Sequence, residues 1–188
     1  PLADDPNQAL TVATTRPETM LGDTAVAVHP EDPRYRHLIG KKVRLPLTTR
    51  EIPIVGDSIL VDLEFGTGAV KITPAHDFND FEAGERHKLP RLTIFNHLAQ
   101  LDPKGLKAAA VEETVASEIQ NLPVGKARSK VEQALKARDL LVKTEDHKMA
   151  LGKCYRCKTV VEPYRSPQWF VKIKPLADPA IKAVEDGR

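Results

Sequence analysis

The sequence has no long apolar run, no leader-like start and little net charge. No stretch of its 188 residues approaches the roughly 18 apolar residues that a membrane-spanning helix needs. Residues 1–8 lack the basic and then apolar pattern of a secretory signal peptide. These absences argue against a membrane or secreted protein and predict a cytoplasmic one. The net charge is only +2, which excludes a strongly basic coat for nucleic acid.

Cysteine is also scarce, with only Cys154 and Cys157 in a Cys-x-x-Cys pattern. A structural zinc ion needs four ligands, so these two thiols make at most half a site. A thioredoxin-type pair needs a helix that opens at the motif, whereas residues 158–163 have a strand pattern. Two interpretations stay open. The pair is either half of a zinc ribbon that missing flanking sequence completes, or the remnant of a zinc knuckle that no longer binds metal.

The composition is typical of one globular domain, or of one domain with an appendage. Hydrophobic residues make up 41% of the chain and charged residues 29%, so we expect a packed core. The chain opens at Pro1 without an initiator Met, and a helical pattern is still running at Arg188. We therefore expect a piece of a longer protein.

Local patterns predict short strands first and helices later. Thr15 and Glu18 have the spacing of a capping box, and Asp77 can cap a helix that runs to Lys88. After residue 105 the apolar spacing becomes helical, which predicts a helical hairpin, and a last helix follows Pro175. The strand patterns lie at residues 10–16, 25–29, 42–45, 51–55, 59–63, 69–73, 91–96 and 140–143.

These elements predict an α+β fold. Its sheet is expected to be mixed or antiparallel and barrel-like, with peripheral helices and a small ribbon-like extension. We place the main domain at residues 8–145 and a Cys-knuckle ribbon that connects it to a larger body at 146–175. Residues 176–188 begin a helix of the parent protein.

Two segments, residues 14–19 and 71–80, concentrate polar groups that a core does not need. If they meet in space, they form a pocket lined by hydroxyls, carboxylates and a lysine. No Gly-x-Ser-x-Gly elbow or free cysteine nucleophile is present in the sequence, so chemistry there would have to use water.

Each polar residue also has a purely structural explanation. Asp77 and Asp80 can cap a helix, and Thr14 and Thr15 are common strand residues. Lys71 can be an exposed strand residue. Only the joint occurrence of the segments, in this order, favours a functional site.

Three parts of the chain resemble the editing insertion of the valyl-tRNA synthetases, which are class I aminoacyl-tRNA synthetases. The resemblance covers nearly the whole chain. The threonine-rich segment and the Gly-Thr-Gly motif with its trailing Asp also occur in the isoleucyl and leucyl enzymes, whereas Lys71 and the Thr-Pro-Ala-His-Asp run resemble the valyl member. The parts are Ala13-Thr14-Thr15-Arg16-Pro17-Glu18-Thr19, Gly66-Thr67-Gly68-Ala69-Val70 with Thr73-Pro74-Ala75-His76-Asp77 and Asp80, and Glu162-Pro163 with Ser166-Pro167-Gln168-Trp169-Phe170.

The resemblance implies an aminoacyl-tRNA deacylase, the hydrolytic domain of an aminoacyl-tRNA ligase. Its substrate would be valine tRNA that has been mischarged with threonine. Its other partner would be the ATP-binding catalytic domain of the parent synthetase. Editing would need no cofactor, and structural zinc would enter only through the cysteine pair.

The resemblance also implies roles at the catalytic centre. Asp80 falls where the family places the ligand of the substrate's α-ammonium group, and a charge-assisted hydrogen bond suits that role. Thr14 and Thr15 would line the opposite wall, with hydroxyls and backbone groups for the substrate carbonyl. These three residues are the predicted catalytic set.

Further residues are implied to bind the rest of the substrate. Lys71, Thr73 and Asp77 match positions around the threonyl hydroxyl and the terminal adenosine. Arg16 would lie near a phosphate or the terminal ribose. The extension, with Cys154 and Cys157, is expected to be non-catalytic.

Two alternatives remain: a free-standing deacylase, and a non-catalytic tRNA-docking module. The expected truncation of the chain argues against the first. Acidic groups at Asp77 and Asp80 argue against the second, because they repel phosphates but suit an ammonium group.

Overall fold

Residues 1–187, which a computed structural model describes, form four β-strands, five α-helices and two short 3₁₀ helices. The strands are β1 (Ala25–Val28), β2 (Lys42–Arg44), β3 (Glu51–Gly56) and β4 (Ala69–Ile72). The α-helices are α1 (Phe78–Arg86), α2 (Pro103–Ala108), α3 (Glu113–Ile119), α4 (Val124–Lys136) and α5 (Lys174–Glu185). The 3₁₀ helices span Pro17–Gly22 and Arg36–Leu38.

The strands form one open sheet in the order β2-β3-β1-β4. β1 pairs parallel with β3 and antiparallel with β4, so the sheet is mixed as predicted. The barrel-like closure predicted from the sequence is wrong, because β2 and β4 lie at opposite edges and do not pair. The N-terminal residues cover the outer edge of β2, where the Ala3 amide donates to the Lys42 carbonyl at 2.9 Å.

Helices pack against both faces of the sheet, and all four residues of β1 are buried. Val26 and Val28 belong to the main core, which also contains apolar residues of α2, α3 and α4. Ala25 and Ala27 point to the other face, where a smaller cluster includes Ala83 of α1. Successive strand residues face opposite sides of the sheet. The valines of β1 therefore point into the main core, and the smaller alanines point to the face that packs against α1.

Helix α1 is fixed at both of its ends. The Asp77 carboxylate accepts hydrogen bonds from the backbone N–H groups of Asn79 and Asp80, which is the predicted N-cap. At the other end, Arg86 and His87 contact the buried carboxylate of Asp57 at 2.7 and 2.9 Å. The first turn of α1 is thereby held beside the end of β4.

Four predicted strands do not form a ladder, at residues 10–16, 59–63, 91–96 and 140–143. A segment with strand propensity forms a strand only where a neighbouring segment supplies backbone hydrogen bonds. Among these four segments, Phe95 forms only an isolated bridge, to Leu101. The ribbon near the cysteines is likewise reduced to a bridge between Lys153 and Val160. The predicted last helix is confirmed as α5, while Arg188 lies outside the described residues. No helix within residues 1–187 has both the length and the apolar character to cross a membrane.

Candidate functional site

The two polar segments predicted to form a pocket meet in the structure. The Arg16 guanidinium donates a hydrogen bond of 2.7 Å to the backbone carbonyl of His76. This contact joins the threonine-rich segment to the loop between β4 and α1. The side chains of Thr14 and Thr15 are exposed, and the Thr14 hydroxyl accepts a hydrogen bond from the Arg16 amide at 3.0 Å.

A compact polar cluster lies where β4 ends and α1 begins. The Asp80 carboxylate accepts a hydrogen bond of 2.8 Å from the backbone N–H of Thr73. Lys71 Nζ donates to the Thr73 hydroxyl at 2.6 Å and lies 4.0 Å from Asp80 Oδ2. Thr73 is fully buried and Asp80 is 6% exposed. The structure therefore brings together three of the predicted residues, Lys71, Thr73 and Asp80.

Asp23 is a fourth member of this cluster that the sequence analysis missed. Its carboxylate accepts a hydrogen bond from the Thr73 hydroxyl and lies 3.6 Å from Lys71 Nζ. The available signal was an acidic residue two positions before the fully apolar run of β1. A carboxylate at such a position is buried only when it has a partner.

Arg50 holds the backbone that carries Asp23. Its guanidinium donates hydrogen bonds of 2.6 to 2.7 Å to the backbone carbonyls of Asp23, Leu21 and Ala109. These three hydrogen bonds to one planar guanidinium group fix the turn before β1. The position of the Asp23 carboxylate follows from this anchoring.

The cluster has one ammonium group for two buried carboxylates. Burial raises the pKa of Asp23 to about 6; Lys71 and the Thr73 hydroxyl oppose this shift, and the Asp80 charge adds to it. Burial also raises the pKa of Asp80, again opposed by Lys71. With both carboxylates ionised, these three side chains carry a charge of about −1, which Arg50 beside Asp23 and Arg16 near Asp80 offset in part.

Replacing Asp23 with asparagine is expected to change how stability depends on pH. An acid whose pKa is raised on folding binds more protons in the folded state, so its contribution falls as pH rises from about 4 to about 6. A shift of about two pKa units amounts to about 3 kcal/mol, and the asparagine variant should lack that decline. Urea unfolding of both proteins between pH 4 and pH 7 measures the difference.

His76 changes protonation in an overlapping pH range with the opposite sign. Burial lowers its pKa to about 4, so its contribution to stability is lost as pH falls from about 6.5 through 4. Both proteins retain His76, so its effect cancels in the comparison. Parallel pH profiles for the parent chain and the Asp23→Asn variant would contradict the assignment of a raised pKa to Asp23.

His76 itself is a packed residue. Its Nε2 atom accepts a hydrogen bond of 2.9 Å from the Ile94 amide, and its ring meets the Phe95 ring edge-on at 4.6 Å. Its buried Nδ1 atom has no hydrogen bond of normal geometry among the described residues, although the Pro163 backbone lies beside it. The low pKa keeps the ring neutral at neutral pH.

Arg16 and Asp77 are already engaged within the protein. The Arg16 guanidinium contacts Glu162 at 2.5 Å and lies 3.6 Å from Glu18, in addition to its bond with His76. The Asp77 carboxylate caps α1 and is partly exposed. A phosphate contact by Arg16, as implied by the resemblance, would require it to give up one of these partners.

The predicted capping box at Thr15 and Glu18 does not form. The 3₁₀ helix that begins at Pro17 has no side-chain cap. Glu18 is instead fully buried, and its carboxylate accepts two hydrogen bonds from Arg128 of α4, at 2.9 and 3.1 Å. This ion pair fixes the threonine-rich segment to the helical layer.

Two hollows in the structure do not include the polar cluster. One, of about 290 Å³, separates residues 95–99 from residues 159–164, and the other, of about 490 Å³, runs along residues 58–64. Neither is lined by Asp80 or Lys71. The polar cluster is largely buried, and Lys71, 11% exposed, is its most exposed side chain.

The cysteine pair does not gain further ligands. Cys154 and Cys157 lie in a turn closed by hydrogen bonds between Cys154 and the backbone of Lys158 and Thr159. Within residues 1–187 no group of three or more His, Cys, Asp or Glu side chains could hold a metal ion. The two thiols present do not fit a closed zinc site.

Comparisons with known proteins agree with this architecture. A family described as "Leucyl-tRNA synthetase, editing domain" matches residues 37–136. A valine–tRNA ligase from Geobacter sulfurreducens is 56% identical over 188 residues, which is 100% of this chain and 20% of that relative. A valine–tRNA ligase from Thermotoga maritima is 51% identical over 183 residues, which is 97% of this chain and 20% of that relative. "The crystal structure of GlLeuRS-CP1" has a similar fold, with a TM-score of 0.51 and 14% identity over 74% of this chain and 83% of that one.

The matches confirm the resemblance that the three sequence segments indicate. The chain spans about a fifth of the length of the two relatives. The solved structure bears on the fold alone, and the family match and the relatives carry the assignment. The chain belongs to the editing-domain family of the aminoacyl-tRNA synthetases and corresponds to the editing segment of the valine–tRNA ligases.

Proposed function

We propose that the chain performs post-transfer editing by hydrolysing the ester that links threonine to valine tRNA. The observation that carries this proposal is the pair of buried carboxylates, Asp23 and Asp80, that share the single ammonium group of Lys71. Their surplus negative charge suits the α-ammonium group of an aminoacyl ester. The catalytic domain of the parent synthetase would supply the mischarged tRNA.

The choice of threonine follows from the chemistry of discrimination. A hydrophobic pocket cannot strongly reject an isostere that adds a hydroxyl, and valyl-tRNA synthetases are themselves a known example, at about a hundredfold against threonine. A second site must then select the hydroxyl. Lys71, Thr73 and Asp23 are paired with one another in the unliganded chain. Once substrate separates them, a threonyl hydroxyl can replace a lost partner, whereas a valine methyl group leaves a buried polar group unpaired at about 1–3 kcal/mol.

The proposed mechanism uses positioned water. An aminoacyl ester is already activated, so orienting the water and stabilising the oxyanion can supply much of the rate. In this proposal Asp80 binds the ammonium group, and Thr14 and Thr15 present hydroxyls to the substrate carbonyl from the exposed segment. Because the polar cluster is largely buried, substrate entry would move Lys71, its most exposed member, aside, and Lys71 would then contact the substrate.

The substrate preference can be measured directly. We expect this chain, at high protein concentration, to hydrolyse threonyl-tRNA about 10- to 100-fold faster than valyl-tRNA, because one or two unpaired polar groups separate the two. Release of labelled amino acid from each tRNA, compared with its spontaneous release, gives the ratio. Equal rates for the two esters would remove the proposed specificity. Binding of tRNA without turnover would indicate a docking module instead.

A further inference from the structure

Glu162 connects the C-terminal extension to the threonine-rich segment. Its carboxylate contacts the Arg16 guanidinium at 2.5 Å, and both side chains are only 19% exposed. The neighbouring Pro163 lies beside the buried ring of His76. The extension, which the sequence predicts to be non-catalytic, therefore packs against the loop that leads into α1.

A continuous set of contacts runs from Glu162 to Asp80. Arg16 joins Glu162 to the backbone carbonyl of His76. The next residue, Asp77, accepts a hydrogen bond of 3.1 Å from the Asp80 amide. Displacement of Arg16 would thus release the peptide that precedes the cap of α1.

Charge balance explains why Arg16 depends on Glu162. Arg16 and Arg128 face two carboxylates, Glu18 and Glu162, so this group of four is neutral, and Glu132 adds a weaker attraction to Arg128. Without Glu162, two guanidinium groups would share Glu18, which already lies 3.6 Å from Arg16. Arg16 would then be drawn towards Glu18 and away from the His76 carbonyl.

We propose that Glu162 is a positioning residue for editing, which acts through Arg16 to hold the loop before α1 and so the Asp80 carboxylate. The inference rests on the proposed deacylase function. It assigns part of the editing machinery to the extension. It also gives Arg16 a role inside the protein in place of the predicted phosphate contact.

The first test compares deacylation by the Glu162→Ala variant with that of the parent chain. Small errors in the placement of a binding group reduce the rate of the bound complex, so we expect kcat to fall about tenfold or more with little change in KM. Glu162→Gln keeps an acceptor for Arg16 and should retain an intermediate rate. Glu145→Ala is the matched control, since Glu145 pairs with Lys143 just before the extension and both side chains are more than two-thirds exposed.

The second test does not depend on activity. Hydrogen exchange of the Thr73 and Asp80 amides, whose acceptors are Asp80 and Asp77, should speed up in Glu162→Ala, while that of Ile54 in β3 stays unchanged. In an Arg16→Gln background the Glu162 change should add no further loss of kcat. Unchanged exchange, or unchanged kcat in a chain whose parent is active, overturns the proposal. If the parent chain is inactive, the proposed function fails, and exchange alone decides the role of Glu162.

Discussion

Replacing Asp80 with asparagine is expected to reduce hydrolysis of threonyl-tRNA by at least about 30-fold. The substrate ammonium group would lose its charged partner, and loss of one member of such a pair typically costs about 2–5 kcal/mol. Asparagine keeps the shape and can still accept the hydrogen bond from the Thr73 amide. Initial rates on threonyl-tRNA, at equal protein concentration, give the ratio.

The fold should survive this substitution. Burial raises the pKa of Asp80, which means that the folded chain disfavours the charge that asparagine removes. Asp102→Asn is a matched control, because Asp102 caps α2 by accepting from the Gly105 amide at 3.0 Å. We expect that variant to keep its rate within about twofold. A fully active Asp80→Asn chain would refute the role given to Asp80.

Replacing Glu18 with glutamine is expected to lower the free energy of unfolding by about 3 kcal/mol. Glu18 is fully buried, and its carboxylate holds Arg128 through two hydrogen bonds with Arg16 close by. Removal of its charge leaves two guanidinium groups in a partly buried space. Arg128 is 38% exposed and can turn towards water, which places the effect at the lower end of the range for buried pairs. Urea denaturation provides the measurement.

An exposed ion pair of similar geometry provides the control. Arg138 donates to both carboxylate oxygens of Glu112 at 3.0 and 2.6 Å; the two arginines are similarly exposed, but Glu112 is 33% exposed and Glu18 is fully buried. Glu112→Gln should therefore change stability by less than about 1 kcal/mol. Equal losses in the two variants would show that burial adds nothing to the Glu18 pair.

The sequence predicted those parts of the fold that depend on local chemistry. The Asp77 cap, the helix after it and the short strands that become β1 and β4 follow from residues close together in the chain. Closure of the sheet could not be predicted, because it depends on which edges meet. Residues 59–63 have strand character but follow the Asp57 turn, where the carboxylate binds the backbone amides of Ile59 and Leu60.

The candidate site was predicted in part for the same reason. Lys71, Thr73 and Asp80 lie within ten residues of one another, and a strand–loop–helix pattern brings them together. Asp23 is 50 residues from Thr73, and Glu18 is 110 residues from Arg128. A single sequence holds no signal for such pairs, apart from the unusual position of an acidic residue close to an apolar run.

The contact between Arg16 and Glu162 also bears on how the chain matures at the ribosome. The two residues are 146 positions apart, so Arg16 has no Glu162 to pair with until the ribosome has translated the residues between them. At about 5–20 residues per second, that delay lasts roughly 7–30 seconds. A nascent chain can assemble its sheet in this interval while the loop ahead of α1 is still unclamped. Newly made molecules would therefore acquire proofreading competence after they acquire their core.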